Sequence, residues 1–140
     1  MQCRDVMTEN PAICTKHDTV VESALLMKAQ DVGPIPVVDG PRSRRLIGIV
    51  TDRDLALKVV AESRDPRKTK VEEVMTKDPV TVSPEDGLDR AIDAMARFHV
   101  RRIPVVDHEH HLVGIIAQAD IARRESPEKT GWVVAGISEP

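Results

Sequence analysis

Ile35-Pro36-Val37-Val38-Asp39 recurs as Ile103-Pro104-Val105-Val106-Asp107, at an offset of 68 residues. The same offset carries Val6-Met7-Thr8 onto Val74-Met75-Thr76. Beyond the second aspartate the offset becomes 66, and Leu46-Ile47-Gly48-Ile49 falls on Leu112-Val113-Gly114-Ile115. The slip lies among Gly40, Pro41 and Ser43, residues that mark a turn. Matches in the elements with a gap in a turn are what a structural repeat leaves behind, because loops tolerate insertion and packed elements do not.

Each copy reads in the same order. A short strand comes first, Ala12-Ile13-Cys14 or Val80-Thr81-Val82. A helix is then expected to start at Thr15-x-x-Asp18 or Ser83-x-x-Asp86, with Pro84 at the first helical position. Apolar residues follow at helical spacing: Val20, Ala24 and Met27 in one copy, Leu88, Ile92 and Met95 in the other. The methionines read as core filling. Ile35–Asp39 with Leu46–Val50, and Ile103–Asp107 with Leu112–Ile116, read as hairpins, and a second helix begins near Asp52 and near Gln118. The fold class is therefore α+β, two tandem βαββα units. A small three-stranded sheet leaves one face exposed, so the units are expected to pack sheet to sheet with pseudo-two-fold symmetry, creating two related crevices. The division is 1–62 for the first unit, 63–72 for a polar linker around Asp65-Pro66, 73–125 for the second unit and 126–140 for a tail. The tail segment from Trp132 to Ile137 is too apolar to be left in water and is expected to pack on the module or a partner chain.

Composition narrows the function. The 140 residues are 41% apolar and 31% charged, with Phe98 and Trp132 the aromatic residues, so the core must be aliphatic. A net charge of −3 disfavours broad nucleic-acid binding, and the lack of aromatics removes the usual stacking platform for bases. Arg42, Arg44 and Arg45 on the first hairpin turn read as solvated. Cys3 and Cys14 imply no disulfide framework. The charged opening Met1-Gln2-Cys3-Arg4-Asp5 does not read as a signal peptide, and no run approaches the ~18 apolar residues of a membrane span. Cytoplasmic location follows as the default expectation.

The stretch Gly48-Ile49-Val50-Thr51-Asp52-Arg53-Asp54 carries the most chemistry. A glycine within a strand marks close backbone approach. Thr51 then stands at a strand-to-helix junction, where free N–H groups and a hydroxyl can hold phosphate. Asp54, which only accepts, can take both hydroxyls of a ribose, and Arg53 adds positive charge. The alternative is that Thr51-x-x-Asp54 simply caps its helix. The second copy reads Gly114-Ile115-Ile116-Ala117-Gln118-Ala119-Asp120: the carboxylate remains and the hydroxyl is gone.

The paired Val-Met-Thr openings, the two Ile-Pro-Val-Val-Asp strands and the Gly-Ile-Val-Thr-Asp-Arg-Asp stretch together resemble tandem CBS domains, a Bateman module. The resemblance runs over about residues 4 to 125, is of the stand-alone two-CBS type, and is similar to the hypoxic response family. It implies a regulatory module for adenosine-containing ligands (AMP, ADP, ATP, S-adenosylmethionine or NAD) that signals by a change of conformation or partner affinity. The nucleotide or S-adenosylmethionine would be a regulatory ligand, with no cofactor required. The resemblance assigns phosphate and ribose to Thr51 and Asp54, and ribose to Asp120. It places the base among Ile13, Thr15, Ile35 and Pro36 in one copy, and among Val80, Val82, Ile103 and Pro104 in the other.

Arg101 and Arg102 enter the second Ile-Pro-Val-Val-Asp strand where the first copy has Gly33 and Pro34. They are either a solvated edge or a reach toward phosphate. Because only copy one keeps the hydroxyl, the Thr51–Asp54 site is expected to be the better nucleotide binder, an inequality the two arginines could offset. His108, Glu109, His110 and His111 read as a wet polar turn rather than a metal site. No nucleophile elbow, P-loop or spaced Cys–His pair is present, so the chain is read as no enzyme. A homodimer is expected through a helical face containing Ala24, Leu25, Ala91 and Ala94, alongside an unidentified regulated protein and no membrane partner. The competing reading is a structural dimeric interaction module with vestigial nucleotide sites.

Overall fold

The strands, in chain order, are β1 (Thr8–Glu9), β2 (Cys14–Thr15), β3 (Ile35–Val38), β4 (Leu46–Val50), β5 (Thr76–Lys77), β6 (Arg102–Val106) and β7 (Leu112–Ala117). The helices are α1 (Val20–Gln30), α2 (Asp52–Leu55), α3 (Leu88–Phe98) and α4 (Gln118–Ala122). The computed structural model describes residues 1–123, so the expected packing of the Trp132 tail lies outside the described residues.

Both expected hairpins form. β3 runs antiparallel to β4 from Ile35↔Val50 to Val38↔Leu46, and β6 to β7 from Arg102↔Ala117 to Val106↔Leu112. Each pairing is interrupted at the same repeat position, between Val37 and Val38 and between Val105 and Val106. All of β3 is buried, as a strand with neighbours on both edges and packing on its faces must be.

α1 and α3 start later than expected. Thr15-x-x-Asp18 is a turn: Asp18 accepts from the Thr15 amide at 2.9 Å and from the Thr15 hydroxyl at 3.1 Å. Ser83 and Asp86 repeat it, the Ser83 amide donating to Asp86 at 2.9 Å. The cap of α1 is Thr19, whose hydroxyl accepts from the Glu22 amide, so a second hydroxyl–acid pair four residues on wins the helix start. α3 starts after Gly87, which leaves Pro84 in the preceding turn. Both helices end on a residue in the left-handed region, Asp31 and His99. Val20 and Met27 face the core as expected, but Ala24 is exposed and the buried middle position is Ser23, its hydroxyl donating to the Val20 carbonyl at 2.8 Å. In α3 the matching Ala91 is fully buried with Leu88, Ile92 and Met95. Ala91 therefore cannot belong to an outward dimer face, and Ala94 is half-buried against the same core.

The compact units do not follow the sequential division. One is Ala12–Pro79, the first-hairpin unit; the other is Met1–Pro11 together with the chain from Val80 onward, the second-hairpin unit. In the first-hairpin unit the sheet order is β2-β3-β4-β5, with β5 opening the second repeat. In the second-hairpin unit the order is β1-β7-β6, with β1 opening the first repeat, and Val82 bridges Val105 in parallel as Cys14 pairs Val37. Each Val-Met-Thr leader thus closes the sheet of the other repeat's hairpin. Val71 and Val74 join the core with Val20 and Met27, and Cys3 and Val6 join the core with Leu88 and Ile92.

Residues 63–72, expected as linker, are tied into the first-hairpin unit. The Thr69 carbonyl accepts from the Val20 amide at 2.9 Å, and the Val71 amide donates to the Asp18 carbonyl at 2.8 Å. The opening N–H groups of α1 lack intrahelical partners, and this segment supplies two acceptors, the Thr69 carbonyl for Val20 and the Pro66 carbonyl for Val21.

The strand glycines are explained by the leaders. A Cβ on Gly48 would stand 2.6 Å from Met75 Sδ and 2.8 Å from the Thr76 carbonyl oxygen. On Gly114 it would stand 2.5 Å from Met7 Sδ and 3.0 Å from the Thr8 carbonyl oxygen. The close approach that the glycines mark is that of β5 and β1.

Candidate functional site

Thr51 ends β4 in extended geometry and caps α2. Its hydroxyl accepts from the Asp54 amide at 3.0 Å, while Asp54 Oδ2 accepts from the Thr51 amide at 3.0 Å. The pair is a reciprocal capping box, as the structural alternative had it. The box leaves the Thr51 hydroxyl proton free to donate, since that oxygen is used as an acceptor.

Asp54 is buried and carries two partners that the sequence reading missed. The Lys58 ammonium lies 3.0 Å from Oδ1, and the Thr76 hydroxyl is 3.5 Å from Oδ2. The same ammonium donates to the Val74 carbonyl at 3.0 Å. Lys58 was readable, because residues four apart share a helical face. Thr76 was not, because it arrives only through the β4–β5 pairing, Ile49↔Thr76. After α2 the chain continues as a π-turn, Ala56–Val60, closed by the Ala61 amide on the Ala56 carbonyl.

The other expected residues of this copy divide by position along β3. Ile35 and Pro36 are buried opposite Val50 and Ile49, one strand away from the start of α2. Ile13 is half-buried just ahead of β2. Thr15 pairs with Val38 at the far end of β3, and its hydroxyl is committed to Asp18. At the ~3.3 Å rise of a strand residue, that sets Thr15 about 10 Å along the sheet from Ile35. Arg53 is exposed, and its side chain has no charged partner among the described residues. Asp52 sits over Gly33: a Cβ there would stand 2.8 Å from Asp52 Oδ1, an oxygen that also accepts from the Arg53 amide at 3.0 Å.

In the second-hairpin unit Asp120 Oδ2 accepts from the Ala117 amide at 2.9 Å and Oδ1 pairs with Arg123 at 2.6 Å. Ala117 has no side-chain oxygen, so the box is half of the one at Thr51. Ile103 and Pro104 are buried opposite Ile116 and Ile115, Val82 is buried beside Val105, and Val80 is half-buried. Arg102 stands directly opposite Ala117 in the β6–β7 register, and the Arg101 carbonyl accepts from the Gln118 amide at 2.8 Å.

Outside these clusters, the hairpin turns are pinned by their first aspartates. Asp39 is held below the ordinary carboxylate range chiefly by the Ser43 hydroxyl, and Asp107 chiefly by the His111 amide. His111 Nδ1 lies 3.3 Å from Asp107 Oδ2, whereas His108 and His110 are exposed. Among the described residues, no group of three His, Cys, Asp or Glu side chains is placed to hold a metal ion. Nor is any helix among them long and apolar enough to cross a membrane.

The CBS domain family model matches this chain twice, over residues 3–61 and 71–126. The CBS domain-containing protein YhcV of Bacillus subtilis is 40% identical over 136 residues, covering 96% of this chain and 94% of that protein. Hypoxic response protein 1 of Mycobacterium tuberculosis is 33% identical over 137 residues, covering 98% and 94%. Among solved structures, Hypoxic Response Protein I with two coordinated zinc ions superposes with a TM-score of 0.80 at 31% identity, over 90% of this chain and 100% of that one. The CBS domain pair of MJ0100, in complex with 5′-methylthioadenosine and S-adenosyl-L-methionine, gives 0.75 at 27% identity, over 88% and 94%. CBSX2 in complex with AMP gives 0.74 at 26% identity, over 87% and 93%.

Proposed function

The chain belongs to the CBS domain family, and on that premise we propose that it is a regulatory module holding one adenosine-type site in each of its two units. The observation that carries the reading is the strand-to-helix junction at Thr51, where a buried carboxylate and a hydroxyl with a free proton are held within one turn. Asp120 recurs at the equivalent junction of the second repeat. Two structurally similar CBS proteins hold adenosine compounds, one AMP and one S-adenosyl-L-methionine with 5′-methylthioadenosine. A bound ligand would act by its differential affinity for two conformations or two states of association. The module has no catalytic role in this reading, and it works in the cytoplasm, where Cys3 and Cys14 stay as free thiols.

A homodimer is part of the proposal. Leu25, Leu57, Val60 and Phe98 are exposed apolar side chains on helical segments, and a closed two-fold pairing is the commonest way to cover such residues. Light scattering at micromolar concentration that returns a monomer would remove this part.

The second reading, a structural interaction module with vestigial sites, is favoured by one observation: both carboxylates already cap their own helices. A thermal-shift series with AMP, ADP, ATP, S-adenosylmethionine and NAD separates the two. A ligand at 100 times its dissociation constant adds about 2.7 kcal/mol of stability. A shift with any of them supports the regulatory reading, and no shift with all five leaves the structural one.

A further inference from the structure

The two hairpin turns carry different charge at matching positions. Counting back from Leu46 and Leu112 at the offset of 66, Arg42, Arg44 and Arg45 fall on His108, His110 and His111. The backbone supports the match. Arg44 and His110 both lie in the left-handed region, at φ 53° and 68°, and the carbonyls of Arg45 and His111 accept from the amides of Asp39 and Asp107, both at 3.0 Å. One turn geometry thus presents three guanidiniums in the first-hairpin unit and three imidazoles in the second-hairpin unit.

Two of the histidines have acids beside them. His111 lies 3.3 Å from Asp107, and His108 lies 3.6 Å from Glu109. In the other turn Ser43 stands where Glu109 does, and its hydroxyl donates to Asp39. Among the described residues, no carboxylate lies within ion-pair distance of Arg42, Arg44 or Arg45.

Arg44 departs furthest from the solvated turn that the sequence suggests. It is half-buried, and its Nη2 is shut off from solvent with no hydrogen-bond partner. A buried donor left unpaired costs free energy, and more on a charged group. The left-handed backbone adds strain that glycine would not feel. An arginine that costs stability twice over is explained by an acceptor that the folded chain does not itself supply. No hydrogen bond holds its Nη2 where it lies, so an arriving acceptor can draw the group out.

We propose that the turn 39–45 binds a doubly charged phosphate group, free or as a monoester, with Arg44 as its chief ligand and the exposed Arg42 and Arg45 at its rim. The charge fits. Three arginines less Asp39 leave the turn at +2, against about −1.5 to −2 for a phosphate monoester near neutral pH. A guanidinium also meets two phosphate oxygens with two parallel hydrogen bonds. At the rise of a strand, the five steps from Leu46 to Thr51 set this turn about 16 Å from the head of α2. The site is therefore separate from that junction and independent of the adenosine reading.

Amide NMR of the full chain at about pH 8, where an ordinary imidazole is neutral, tests it. Sodium phosphate and glycerol 2-phosphate are titrated against sodium chloride at matched ionic strength. The amides of residues 39–45 shift and saturate with one or both phosphates, while those of 107–111 stay. Response to one of the two alone identifies the free ion or the ester as the form bound. Arg44→Gln weakens binding about ten- to a hundred-fold, the worth of a hydrogen bond to a charged group. Arg44→Gly weakens it as much with no loss of thermal midpoint, because glycine adopts the left-handed backbone freely and leaves no buried donor. The proposal is overturned if neither phosphate moves these amides, if chloride moves them equally, or if both turns respond alike. Shifts gathered at Thr51 and Asp54 instead, or wild-type binding by Arg44→Gly, overturn it as well.

Discussion

The Lys58 ammonium lies 3.0 Å from Asp54 Oδ1, and the same nitrogen reaches the Val74 carbonyl. One side chain therefore neutralises the buried carboxylate at the head of α2 and fastens it to the segment that opens the second repeat. A carboxylate has about four acceptor positions. The Thr51 amide, the Thr76 hydroxyl and Lys58 occupy three of those on Asp54. A ribose diol that needs two must displace one, and the 3.5 Å contact from Thr76 is the weakest of the three.

Lys58→Met keeps the aliphatic stem and removes the charge. The ammonium is half-exposed, so the expected cost is about 1 kcal/mol in urea denaturation rather than the several of a fully buried pair. In an Asp54→Asn background the same change costs close to nothing, because the carboxylate it served is gone. Equal costs in both backgrounds would show that Lys58 acts through Val74 alone.

Gly48→Ala and Gly114→Ala are expected to destabilise by about 1–3 kcal/mol each, through overpacking against the leader strands. Adding Met75→Ala to Gly48→Ala does not restore stability, because the Thr76 carbonyl, 2.8 Å from the new Cβ, is backbone and cannot step aside. Full recovery in the double variant would mean that the methionine alone enforces the glycine.

Deleting residues 1–9 removes β1 and strips Cys3 and Val6 from the core around Leu88 and Ile92. The loss belongs to the second-hairpin unit, although the deleted residues head the first repeat. Hydrogen exchange on the truncated chain is expected to show faster exchange in β7 and unchanged protection in β4. The opposite pattern would contradict the exchange of leaders.

Burial pushes the Cys3 thiol up to about 11 and the Cys14 thiol to about 12, from 9.0, with Asp86 adding to the first and Asp18 to the second. Raised folded-state values make the sign plain. The neutral thiols contribute stability that is fully present below about pH 9 and is lost as pH rises toward 11–12, because the unfolded chain ionises first. Urea midpoints are expected to fall between about pH 8 and about pH 10.5, and to fall less in the Cys3→Ala, Cys14→Ala double variant. Iodoacetamide near neutral pH should label the thiols only after unfolding. Rapid labelling of the folded chain would show that the cores open.

Much of this architecture is legible because it depends on short-range rules. The hairpins follow from apolar runs broken by turn residues, and their registers Ile35↔Val50 and Ile103↔Ile116 match the repeat offset. The heads of α2 and α4 follow from a strand meeting an acid three residues on. Local rules also misled where two of them competed: Thr15-x-x-Asp18 and Thr19-x-x-Glu22 both look like helix caps, and the first became a turn. For the site, the sequence pointed to Thr51, Asp54 and Asp120 as the polar groups. The family resemblance placed Thr15 among the base-binding residues, and the parallel β2–β3 pairing sets it at the far end of β3 from Ile35.

By itself, then, the sequence determined the repeat, the βαββα order, the hairpin strands and the carboxylates that head α2 and α4. The tertiary structure alone decided which hairpin each leader joins, and so brought Thr76 to Asp54 and Arg102 opposite Ala117. The reason is range. Capping and periodicity act over a few residues, whereas Val6-Met7-Thr8 and Val74-Met75-Thr76 are identical strings whose pairing with β7 and β4 is settled by long-range burial. What selects the edge is the groove over Gly114 or Gly48, where only a residue without a side chain lets the second backbone close in.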